Sequence, residues 1–123
     1  MIERPIHLDL AHRIEFTRDL FSSENSVLAD VIAKSDNGTC HRVIAFVDGG
    51  VVGGNQNLLR DISSWFSARD GELELVESPI VLPGGEPCKN DWSLVPEIWR
   101  DINQNSIDRH SFVMAVGGGA FLD

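Results

Sequence analysis

The chain has 123 residues, 42% of them hydrophobic and 24% charged, which is ordinary for a globular protein and enough for one small domain with a buried core. Ten Lys and Arg stand against 19 Asp and Glu, a formal charge of −9; this disfavours nucleic acid or an anionic membrane as a partner through bulk electrostatics, while leaving room for a local anion site built from backbone amides.

No apolar run reaches the length of about 18 residues that a membrane span needs. The opening MIERPIHLDL lacks the basic-then-apolar order of a secretory signal. Cys40 and Cys88 are far apart with no CxxC, and His7, His12, His41 and His110 show no HxxxH or HxH spacing. The cysteines therefore read as reduced thiols of a cytoplasmic protein, and the histidines as surface or capping residues.

In chain order, Ile6, Leu8 and Leu10 and then Ile14 and Phe16 alternate with polar residues. That period of two predicts a pair of strands, a hairpin around residues 11–13. In SSENSVLADVIAKSDNG, Val27, Leu28, Val31 and Ile32 share one helical stripe, with Ser or Asn as the cap and Asn37-Gly38 as the stop. RVIAFVDGG is a continuous apolar run suited to a central strand covered on both faces. NQNLLRDISSWFSARDG follows as a helix with Leu58, Leu59, Ile62, Trp65 and Phe66 at helical spacing, ending at Gly71. Leu73 to Val76, with Ile80 to Leu82 leading to the next loop, supplies the second strand region. NDWSLVPEIWRDINQNSID predicts another helix, capped by Asp91, with Pro96 tolerated in its first turn and Leu94, Val95, Ile98, Trp99 and Ile102 facing the core. SFVMAV is the third apolar strand.

Strand–helix–strand–helix–strand with short connections predicts an α/β fold, a Rossmann-like βαβαβ parallel sheet preceded by the N-terminal strand pair. Such sheets bind ligands at the carboxyl ends of their strands. The unusual residues collect there: Asp48-Gly49-Gly50 after the first strand, Pro83-Gly84-Gly85-Glu86 after the second, and Gly117-Gly118-Gly119 after the third. Glycines admit close approach of a ligand to main-chain N–H groups, and carboxylates at strand ends accept from ribose hydroxyls. Asp48, Glu86, Lys89 and Asp123, with the glycine triplet, form a candidate nucleotide constellation. Taken singly, Asp48 reads more readily as a turn or cap residue than as a ribose ligand, and Glu86 and Lys89 read as solvated surface charges. GxGxxG is absent from the first turn, where DGGVVGGN stands.

LPGGEPCKND, Leu82 to Asp91, resembles the GExxK motif of the dehydroquinate synthase family, the sugar phosphate cyclases. DRHSFVMAVGGGAFLD, Asp108 to Asp123, resembles that family's GGGxxxD motif, and VDGGV, Val47 to Val51, its first strand-end aspartate. Order and spacing agree from Val43 to Asp123, and GGEPCKND and GGGAFLD look closest to the divergent EboD-type branch. The resemblance implies that residues 1–123 are the NAD-binding N-terminal domain of a two-domain lyase, truncated just after GGGxxxD. The metal and substrate domain, with a divalent ion that is zinc in most members, would then lie beyond this chain. It implies that NAD transiently oxidises a sugar phosphate hydroxyl, that phosphate is eliminated, and that reduction and an aldol step close a carbocycle. It assigns NAD contacts to Asp48, Glu86, Lys89, Gly118, Gly119 and Asp123: Asp48, Glu86 and Lys89 around the adenosine ribose, the glycines at pyrophosphate, and Asp123 toward nicotinamide. No catalytic residue and no metal ligand falls within the chain, which alone is expected to be inactive. Gly84-Gly85 in place of Asp-Gly, and Leu122 in place of a glycine, depart from the common pattern and bear on substrate identity more than on cofactor.

Two other readings share these features. The iron-containing alcohol and glycerol dehydrogenases have this fold and a GGGxxxD-type loop, and a non-catalytic nucleotide-binding module would need no second domain. Val113 to Val116, expected inside a sheet covered by further helices, would leave apolar area open and favour a homodimer or other self-association.

Overall fold

The computed structural model describes residues 1–35 and 40–123; the expected helix stop at Asn37-Gly38 lies outside the described residues. The elements in chain order are α1 (Val27–Ser35), β1 (His41–Asp48), α2 (Gly49–Gly54), α3 (Leu58–Ser67), β2 (Leu73–Leu75), β3 (Ile80–Leu82), a 3₁₀ turn (Glu86–Asn90), α4 (Leu94–Gln104), β4 (Phe112–Val116) and α5 (Gly119–Leu122). The fold is mixed α/β, with an open parallel sheet flanked by helices.

The sheet is organised around β1. Its eight residues pair in parallel with β2 at His41–Val43, with β3 at Phe46–Asp48 and with β4 at Val43–Val47. Because the β4 register overlaps both of the others, β2 and β3 follow one another along one edge of β1, and β4 occupies the opposite edge. The interruption between β2 and β3 contains Pro79, which has no N–H to give a ladder. The continuous apolar run predicted a doubly covered central strand, and Val43, Ile44, Ala45, Phe46 and Val47 are all buried.

Covering is divided between two faces. Val43 and Val47 join Ile32 of α1 and Leu58, Ile62, Trp65 and Phe66 of α3 in the larger core. Ile44, Phe46 and Leu82 form a smaller core on the other face, against Ile98 and Ile102 of α4 and Phe121 of α5. The connection from β1 to β2 thus lays its helix on one face and the connection from β3 to β4 lays its helix on the other. The point where the winding reverses falls between β1 and β4, and in an open α/β sheet this is where a crevice opens at the carboxyl ends of the strands.

Local chemistry explains most boundaries. Asn25 Oδ1 accepts from the Val27 N–H at 3.0 Å, the cap expected at the start of α1. Asp91 accepts from Ser93 N at 3.0 Å just before α4. Arg42 reaches across from β1 and donates to the carbonyls of Asn105 at 2.8 Å and Ser106 at 3.1 Å. It satisfies orphan acceptors at the C-terminus of α4 with a cation, as the helix dipole favours. Asp108 Oδ1 accepts from His110 N at 2.9 Å and Ser111 Oγ at 3.0 Å. Chiefly through the His110 N–H, this holds its carboxyl below the ordinary 3.8 and shapes the turn into β4.

Three expectations are corrected. The N-terminal strand pair is not formed: among the described residues, 1–26 contain no helix or strand, and Ile6, Leu8, Leu10, Ile14 and Phe16 are exposed. Their alternation supplies an apolar face but no surface for it to cover, and residues 11–13, Ala-His-Arg, include no glycine or asparagine to close a tight hairpin. Trp99, expected in the core, is 69% exposed because α4 meets the sheet along Ile98 and Ile102. GGVVGG, read as loop, is the helix α2. Its four glycines argue against a helix on propensity, but Asp48 caps it through Oδ1 to Gly50 N at 2.8 Å.

Candidate functional site

Asp48 is the last residue of β1 and is buried at 8% exposure. The loops that follow the two flanking strands close over it. A Cβ placed on Gly84, in the loop after β3, would lie 1.8 Å from Asp48 Oδ1; one on Gly117, directly after β4, would lie 2.9 Å from Asp48 Cβ and 2.8 Å from the Phe121 ring. Only glycine permits either approach. Gly84 and Gly117 therefore bring both loops onto the β1 tip, at the place where the winding reverses.

The two flanking loops also hold each other. Lys89 Nζ lies 3.0 Å from Asp123 Oδ2 and 3.7 Å from Glu86 Oε2, and Cys88 Sγ donates to the Ala120 carbonyl at 3.3 Å. The hydrogen bond to Asp123 and the charge of that carboxylate raise the Lys89 ammonium above its ordinary 10.5, with Glu86 adding in the same direction. A raised folded-state value means that the stabilising contribution is fully present below 10.5 and is lost as pH rises through the raised value. A heteronuclear titration of Lys89 is therefore expected to place its midpoint above 10.5, and Asp123→Asn to return it toward 10.5. An unchanged midpoint in that variant would show that the pair does not form in solution.

Of the six residues expected to contact a dinucleotide, all lie on this one edge, in different settings. Asp48 is central and covered. Among the described residues its carboxylate takes one hydrogen bond, from Gly50 N, which leaves acceptor capacity toward the gap between Gly84 and Gly117. Lys89 and Asp123 are joined to each other. The Glu86 side chain is 82% exposed and reaches Lys89. Gly118 and Gly119 are exposed, and a Cβ on either would meet nothing within 4 Å, so their main chain is open to a ligand.

Sequence reasoning passed over Gly84, Gly117 and Phe121. The first two stood in the quoted glycine runs, yet nothing in the runs distinguishes the glycines under steric demand from those in open space. Below the joined loops, an apolar cleft of about 400 Å³ runs between the sheet and α4, walled by Phe46, Leu82, Ile98, Val113 and Phe121, with Lys89 and Asp123 also on its lining. Trp92, in the segment before α4, borders it and is 81% exposed.

A covered carboxylate acceptor, open glycine amides, a lysine and an adjoining apolar cleft fit the parts of a dinucleotide: sugar hydroxyls, phosphate and a flat base. A divalent metal finds no comparable set, since among the described residues no group of three or more His, Cys, Asp or Glu is positioned to hold one. Among the described residues, no helix is long and apolar enough to cross a membrane. In comparison with known proteins, no family model matches the chain, no curated protein matches it, and no solved structure does so.

Proposed function

We propose that the chain is the NAD-binding part of a 3-dehydroquinate synthase-like sugar phosphate cyclase, a phosphate-eliminating lyase. The observation that carries this reading is the convergence of the loops after β1, β3 and β4 on Asp48, with Lys89 and Asp123 tying the two outer loops together at 3.0 Å. These loops also hold the residues that resemble the cyclase motifs. Bound NAD would supply reversible hydride transfer with a sugar phosphate. The chain's own residues bind and orient: Asp48 accepts from an adenosine ribose hydroxyl, and Lys89 and Glu86 flank that ribose. The Gly118 and Gly119 amides meet pyrophosphate, and the apolar cleft, whose lining includes Lys89 and Asp123, receives the adenine ring; Asp123, 3.0 Å from Lys89, thus belongs with the adenosine side rather than the nicotinamide side. None of these groups is asked to break a bond, so catalysis here consists of positioning.

The test is an NAD titration of the 123-residue chain followed by amide chemical shifts. Perturbations are expected at Asp48, Gly118 and Gly119, and Lys89→Ala is expected to weaken binding roughly tenfold, the worth of one charge-assisted hydrogen bond. Shifts scattered away from the three loops, or none at saturating NAD, would defeat the proposal. In a protein that turns over, phosphate release without net NADH marks a cyclase, whereas NADH accumulating from an alcohol marks the alternative dehydrogenase.

A further inference from the structure

We infer that α2 is a winding switch on Asp48: a helix held marginal by its glycines, whose wound state fixes the Asp48 carboxylate for a ligand and whose unwound state releases it. This rests on reading Asp48 as a ligand acceptor, and adds a means by which that acceptor is presented or withdrawn. It starts from the sequence of the helix. α2 is GGVVGG, four glycines and two valines, and none of its residues is buried. Each glycine disfavours a helix about fivefold relative to alanine, and β-branched valine is itself a poor helix former. Six residues also fall well short of the roughly 12–15 at which a helix begins to hold itself in water.

Glycine is required at only two of the four positions. A Cβ on Gly49 would lie 3.3 Å from the Leu82 carbonyl oxygen, and one on Gly50 would lie 3.2 Å from Asp48 Oδ1. These two glycines let the start of α2 sit tightly against the β1 tip and the end of β3. A Cβ on Gly53 or Gly54 would meet nothing within 4 Å, and neither residue has the positive φ that favours glycine. Sterics and backbone conformation both leave these two positions free for alanine. What glycine contributes there is instability of the wound helix.

Asp48 opposes that instability. Its Oδ1 accepts from Gly50 N at 2.8 Å, the side-chain cap of the helix. At the other end the Asn55 N–H donates to the carbonyls of Val51 at 3.0 Å and Val52 at 3.2 Å. The cap acts in both directions. With α2 wound, the Gly50 N–H holds Oδ1 and fixes the plane of the carboxylate, leaving Oδ2 to accept from a ligand between Gly84 and Gly117. With α2 unwound, Gly50 N moves off and the carboxylate is no longer held. A ligand that engages the fixed carboxylate therefore draws α2 into its wound state, and a change that winds α2 raises the affinity for that ligand. The size of the effect is bounded. For a helix wound about one third of the time, complete winding tightens binding about threefold.

The experiment is amide hydrogen exchange in the full 123-residue chain, without ligand and with NAD, with the α3 amides checking that each variant is folded. Without ligand, the wild-type Asn55 N–H is expected to exchange orders of magnitude faster than the amides of α3. Gly53→Ala/Gly54→Ala is expected to slow it about ninefold, the result of two fivefold shifts on a helix wound about one third of the time. In that background Asp48→Ala, which removes the cap, is expected to speed Asn55 exchange about fourfold, while Asp48→Asn, which keeps an acceptor, leaves it slow. The double alanine variant is expected to bind NAD about threefold more tightly than wild type, although its two new methyl groups lie in open space. A wild-type Asn55 as protected as α3 overturns the switch. So does Asp48→Ala with Asn55 exchange unchanged, or a double alanine variant that winds α2 yet binds NAD no more tightly. Failure of every variant to bind NAD defeats the cofactor reading instead, and the ligand-free exchange still decides whether Asp48 and α2 wind as one unit.

Discussion

Gly84→Ala is expected to lower the free energy of unfolding by about 1–3 kcal/mol, the usual cost of forcing an added carbon into a packed position. The new Cβ would sit 1.8 Å from Asp48 Oδ1 and 2.2 Å from its Cγ, an overlap that no rotamer of alanine relieves. Either the loop after β3 lifts away from the β1 tip, or the Asp48 carboxylate is driven off the Gly50 N–H that it caps. Gly118→Ala supplies the control, since a Cβ there meets nothing within 4 Å. Removing the clash from the other side makes the test sharper: with Asp48→Ala in place, adding Gly84→Ala should cost much less than it does alone, a coupling of the kind contacting residues show. Denaturant midpoints for the four variants decide the matter. Equal costs for Gly84→Ala and Gly118→Ala would mean that the loop does not rest on Asp48 in solution. Under the proposed function, the same substitution is also expected to weaken NAD binding, because it separates two of the three loops that converge on Asp48.

Trp65→Ala is expected to cost still more, about 3–5 kcal/mol, a large part of the 5–15 kcal/mol that holds a domain of this size folded. Trp65 is 1% exposed and meets Phe66 and Phe21 edge to face, with ring centroids 5.1 Å and 6.1 Å away. Its indole N–H donates to the Asn25 carbonyl at 2.9 Å, and the Arg69 guanidinium stacks 3.9 Å from the ring centroid. Arg69 also donates to the Asn25 carbonyl at 2.9 Å and to that of Ser23 at 3.3 Å. The ring therefore fastens the turn at residues 19–25 to α3, and the turn carries the N-terminal arm. Trp65→Phe keeps most of the packing and removes the N–H, so a smaller loss is expected from it. Thermal or denaturant unfolding measures both. A Trp65→Ala variant within 1 kcal/mol of wild type would contradict the buried, hydrogen-bonded placement of the ring.

Much of this architecture was legible in the amino-acid sequence because its signals are periodic. Leu58, Ile62, Trp65 and Phe66 fell at helical spacing and are buried on α3, and the unbroken run Val43 to Val47 became the strand covered on both faces. Signals that depend on a distant partner were not legible. The alternation from Ile6 to Phe16 specifies a shape of surface without specifying what covers it. Trp99 belongs to the helical stripe by spacing, yet it lies on the side of α4 that misses the sheet. At the site, the glycine runs announced loops at strand ends, and all six expected residues lie on that edge. Which glycines are sterically required depends on Asp48, 36 positions before Gly84 and 69 before Gly117, and no local pattern contains that information.

The placement of β1 bears on how the chain reaches its native state. Among the described residues, all three parallel pairings include β1, and no two of the other strands pair with each other. No smaller piece of sheet can assemble first and wait for the centre to arrive. The nearest partner in sequence, β2, is 32 residues away by its register, His41 to Leu73, and β4 is 69 away, Val43 to Phe112. Loop-closure entropy must be met before any ladder bond repays it. Folding of this chain therefore rests on long-range contacts of a single strand, and the pairing of β1 with β4 closes the longest of the loops.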